Sequence, residues 1–62
     1  MITTEDKLAV SQEISEMEAR VERAKQYLKD GDLVQLAACF RNIARFAAEN
    51  ADDVQVIKNK TA

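Results

Sequence analysis

The sequence contains no histidine, no proline and no tryptophan, and only one cysteine and one glycine. Each shortage excludes something. Without histidine there is no imidazole base, no Ser-His or Cys-His nucleophile pair and no mixed Cys/His zinc site. A lone cysteine, Cys39, cannot close a disulfide within the chain, and in a helix it is a small apolar residue that suits a reducing, cytoplasmic setting. The absence of proline and the single Gly31 leave one place where the chain is free to turn. Aromatics are three in number, Tyr27, Phe40 and Phe46, too few for a stacking platform interleaved with basic residues. No apolar run approaches the roughly 20 residues of a membrane span, and the amino terminus, MITTEDK, carries acids where a leader peptide needs bases. A soluble, unprocessed chain with no membrane association is the expectation.

What is present is helical periodicity. With 47% hydrophobic residues in 62 positions, the chain is one small domain of the all-α class. Thr3 and Thr4 can cap a first helix whose opening turn holds Glu5 and Asp6, at the positive end of the dipole. Val10, Ile14, Met17, Val21, Ala24 and Leu28 then recur at spacings of four and three. This seam is narrow, flanked by Ser11, Glu18 and Lys25 on one side and by Glu13, Arg20 and Tyr27 on the other, which marks an outer helix. Gly31 can close that helix in the left-handed conformation, and Asp32 with Gln35 forms a capping-box variant for the next. The prediction is helix 1 over about 4–29, a turn at 30–32 and helix 2 over about 33–57, unbroken at Asn50, followed by a frayed polar end at 58–62. So short a join makes the helices antiparallel.

Helix 2 is the more informative. Leu33, Phe40, Ala47 and Val54 fall at heptad position a, and Leu36, Ile43 and Ile57 at d with Asn50. Position e holds Ala37, Ala44 and Ala51, and position g holds Cys39 and Phe46. A stripe covering four of seven positions is too wide for a single neighbouring helix. The expected architecture is an antiparallel hairpin that associates as a homodimeric or larger helix bundle, with Leu33, Leu36, Phe40, Ile43, Phe46, Ala47 and Val54 as the oligomer core.

At the turn, the residues Ala24, Tyr27, Gly31, Asp32 and Phe40 resemble the middle of one tetratricopeptide repeat, although Leu36 stands where that pattern has a small residue. Tyr27-Leu28-x-x-Gly31-Asp32 with Ala37, Phe40 and Ala47-Ala48-Glu49 resembles a helical hairpin of HEPN-type domains. The nuclease members of that group use an Arg-x4-His motif that a chain without histidine does not contain. In length and layout the chain is also similar to the Rop type of plasmid-encoded hairpin dimer, a resemblance that implies two chains and an RNA partner. Shared turn chemistry at Gly31 accounts for all three likenesses.

No catalytic constellation is evident. Ser11 and Ser15 lack a neighbouring base, and Glu13, Glu16, Glu18 and Glu22 spread over several faces of helix 1, as a solvated acidic surface does. The chain is expected to be non-enzymatic and free of cofactors and metals. Its net charge of -2 disfavours non-specific nucleic-acid binding, but the distribution is uneven. Residues 1–18 hold five acids and one base; residues 19–29 hold four bases and one acid. Folding at Gly31 brings Arg20 level with Arg41 and Asn42, so Arg20, Arg23, Arg41 and Arg45, with Tyr27 beside them, form a candidate contact for a partner or a phosphate. Complementation of acidic and basic halves between antiparallel subunits is the structural explanation of the same charges. The functional expectation is an oligomeric module that binds and regulates or inhibits a protein partner; the alternative is an RNA- or nucleotide-binding hairpin dimer using the arginines.

Overall fold

The computed structural model describes residues 2–61 and consists of two helices, α1 (Thr4–Asp30) and α2 (Leu33–Thr61). Thr3 caps α1: in extended conformation, its Oγ1 accepts the Asp6 N–H at 3.0 Å. At the other end Gly31 takes φ 71° and ψ 20°, donating to the Leu28 carbonyl at 3.1 Å while Asp32 N–H reaches the Tyr27 carbonyl at 2.9 Å. These two bonds are the Schellman arrangement, which satisfies carbonyls that a helix end leaves open. Asp32 then caps α2, its Oδ1 accepting the Gln35 N–H at 3.1 Å. Only this half of the capping box forms, because the Asp32 N–H that Gln35 would have accepted is already committed to Tyr27.

α2 runs unbroken through Asn50 and continues one turn past the expected Ile57. Lys58 to Thr61 are therefore helical rather than frayed; Ala62 lies outside the described residues. Two contacts hold that turn. Thr61 Oγ1 donates to the Lys58 carbonyl at 3.2 Å, and Lys60 Nζ lies 3.7 Å from Asp6 Oδ1 across the hairpin.

The helices lie side by side in a layer measuring 45 × 17 × 9 Å between Cα atoms, one helix thick. Its radius of gyration, 14.5 Å, exceeds the roughly 10.6 Å of a compact chain of this length. The interior is correspondingly small. Among the described residues only Ala24 and Cys39 are buried, at 7% and 9% exposure, on facing helices about two turns from Gly31. Their small side chains bring the backbones close, near enough for Cys39 Sγ to donate to the Arg20 carbonyl at 3.5 Å.

Candidate interaction surface

The face of α2 turned to α1 is built from positions d and g, not a and d. Leu36, Ile43, Asn50 and Ile57 are half-buried with Phe46, on either side of the buried Cys39. On α1 the half-buried series is Asp6, Val10, Glu13, Met17, Arg20 and Tyr27 around Ala24. Glu13, Arg20 and Tyr27, expected on the solvent flank of the seam, thus lie against the partner helix. For Arg20 the cause is visible. Its guanidinium stacks 3.9 Å from the centroid of the Phe46 ring, and its Nε donates to Asn42 Oδ1 at 3.0 Å. Glu16 receives the remaining end, with Nη1 3.9 Å from its carboxylate and 3.4 Å from its carbonyl. An arginine packs its stem and planar head on an aromatic face while keeping its donors satisfied, so it serves as a seam residue despite its charge.

Glu13 has no such compensation. Its Oε2 is shielded from solvent without a hydrogen-bond partner, and Asp53 lies opposite. Loss of hydration raises the Glu13 carboxyl above its ordinary range, and the charges of Asp53 and Glu16 raise it further. A protonated Glu13 can donate to the Asp53 carboxylate; the two anions repel.

Rotation of the seam leaves the rest of the apolar stripe uncovered. Ile14, Val21 and Leu28 on α1, and Leu33, Phe40 and Val54 on α2, are exposed in the hairpin, Phe40 at 58%. Heptad register places all six on one side of the layer, with Ala44, Ala47 and Ala51 beside them. Between the helices on that side runs an open groove of about 720 Å³, floored by Met17, Val21, Ala47, Ala51 and Val54 and reached by Glu13, Glu18 and Asn50 at its edges. Of the residues expected to form an oligomer core, Leu36, Ile43 and Phe46 face α1 of the same chain, whereas Leu33, Phe40, Ala47 and Val54 belong to the open face. Ile14, Val21 and Leu28 were legible as seam residues, but the narrow stripe marked α1 as an outer helix, so their share in this second surface was not assigned.

The opposite side of the layer is mainly polar, although Val56 is exposed in register with Gln35 and Asn42. A cleft of about 180 Å³ there is lined by Arg20, Arg23, Tyr27, Gln35, Cys39 and Asn42. It unites three of the five residues singled out from the sequence. Arg41 and Arg45 do not line it: positions b and f set them on the side of α2 turned away from α1, and neither forms an ion pair among the described residues. Since Arg20 is held by Asn42, Phe46 and Glu16, Arg23 is the cleft's freer cation.

Comparison with known proteins found no matching family model, no similar curated protein and no similar solved structure. No helix among the described residues is long and apolar enough to cross a membrane.

Proposed function

We propose that this chain works by association rather than by catalysis, as a non-enzymatic helical module whose functional form is a homodimeric four-helix bundle. In that form it binds a protein partner in a regulatory or inhibitory role, in the reducing cytoplasm where Cys39 stays a thiol. The observation that carries the reading is the open apolar face. A protomer with two buried residues and six large hydrophobic side chains exposed on one side lacks the interior that stabilises a domain of this size alone. Contiguous apolar surface of that kind marks an interaction site. Covering it leaves the polar side, with its Arg20, Arg23 and Tyr27 cleft, as the surface available to a partner.

The nucleic-acid alternative draws its support from that cleft and from the unpaired Arg41 and Arg45, which suit phosphate by their planar, forked donors. A pull-down with and without nuclease separates the two. Partner capture that survives nuclease supports the protein-binding reading, and capture that vanishes supports the RNA reading.

A further inference from the structure

We propose that the open apolar face is covered by a second copy of the chain, its α2 laid antiparallel on the first α2 about a two-fold axis near Ala44, with the two turns at opposite ends. This rests on the association reading above and specifies its interface. Area favours a partner of this size. A compact monomer of 7.0 kDa exposes about 4,000 Å² by the scaling of surface with mass, whereas this protomer exposes 4942 Å². The excess of roughly 900 Å² matches the share of about 800 Å² that each partner buries in a standard interface.

The pattern of the face points to self-pairing in one register. Reversing α2 about Ala44 sets that residue against Ala44 of the partner subunit and Ala37 against Ala51 of the partner subunit. The same operation sets Phe40 over Ala47 of the partner subunit and Leu33 against Val54 of the partner subunit. Phe40 then meets a small residue at the middle of the face, Leu33 and Val54 close the ends, and the alanine column lets the two α2 backbones approach closely. In the hairpin's register, with Arg20 beside Asn42, Ala44 stands within a residue of the level midway between Ile14 and Val21. One rotation therefore also pairs Ile14 with Val21 of the partner subunit. Along α1 it lays residues 4–18, with five acids and one base, over residues 19–29 of the other copy, with four bases and one acid. A two-fold axis parallel to the helices would instead stack α1 on the other copy's α2. Val21 would meet the partner's Phe40, and the alanines would have no close neighbour.

The test is a cross-link. In a Cys39→Ala background, Ala44→Cys brings two Cα atoms across the axis to within disulfide reach, about 4.4–6.8 Å. Mild oxidation is expected to convert most of the protein into a covalent dimer, whereas Val21→Cys in the same background stays largely uncoupled. Because Cys39 is buried and its replacement can weaken the hairpin, a second measurement keeps the native cysteine. A spin label on Lys29→Cys should report an intermolecular separation of about 35 Å, the axial distance between residues 23 positions apart at 1.5 Å each. A dimer by sedimentation whose Ala44→Cys form does not couple and whose turn labels lie close together overturns this pairing while leaving association intact. A folded monomer at all concentrations overturns the association reading itself, and this inference with it.

Discussion

Truncation of Phe40 to alanine should separate folding of the hairpin from its association. In the hairpin the side chain is 58% exposed, so little of it touches α1. A fully buried aromatic removes about 200 Å² from water, which leaves roughly 115 Å² for a partner to cover. At about 25 cal/mol per Å² that surface contributes about 3 kcal/mol per copy, an upper figure because it assumes complete burial. A symmetric dimer loses it twice, about 6 kcal/mol, which corresponds to a roughly ten-thousandfold weaker dissociation constant. Sedimentation equilibrium over a concentration series would read this directly, with circular dichroism reporting retained helix in whatever dissociates. Val34→Ala is the control, since Val34 is 79% exposed and sits at position b, outside the apolar face; its dissociation constant should match that of the parent chain. If Phe40→Ala associated within threefold of the parent, the open face would not be the interface.

Three other substitutions probe the turn, the Glu13 carboxyl and the arginines. Gly31→Val should cost about 1–2 kcal/mol in a denaturant titration; a Cβ at Gly31 would meet nothing within 4 Å, so the loss comes from the positive φ alone, and Gly31→Asn should cost less. Glu13→Gln should raise the melting temperature at pH 7, because the folded chain binds the Glu13 proton more tightly than the unfolded chain does. That contribution to stability is present below the unfolded value and lost as pH rises through the raised folded value, so the gain from glutamine should shrink away as the pH is lowered into the acid range where the carboxyl is protonated in both states. A gain independent of pH would remove the acid pair from the account. Arg41→Glu with Arg45→Glu should leave the melt and the dimer unchanged, as neither residue is ion-paired among the described residues; a tenfold or greater loss of RNA capture in this variant would establish the nucleic-acid alternative.

The hairpin was legible because its signals are local. Thr3, Gly31 and Asp32 each act through hydrogen bonds to residues within five positions, and heptad spacing carries the helices between them. The width of the α2 stripe likewise exceeded what one helix covers, and Leu33, Phe40 and Val54 are exposed beside α1. Which half of the stripe would face α1 was hidden. Sorting residues into apolar and polar assigns Arg20 and Tyr27 to solvent, yet Arg20 lies over Phe46 and Tyr27 is half-buried near Cys39. Ala24 and Cys39 added to this, since two small residues on facing helices draw the backbones together at g rather than a. Glu13 was illegible for a different reason: placing a carboxyl opposite Asp53 runs against local electrostatics, and only the geometry of the packed pair reveals it. Among the arginines, counting back from Gly31 set Arg20 level with Asn42, and the hydrogen bond between them agrees. The same counting says nothing about helix face, so it grouped Arg41 and Arg45 with a cleft they do not line.

The most direct test of whether the apolar face is an interface is the mass of the parent chain by sedimentation equilibrium at micromolar concentration. A species of twice the 7.0 kDa chain mass, dissociating only on dilution, is expected. A single species of 7.0 kDa that keeps full helicity and a cooperative melt would contradict it.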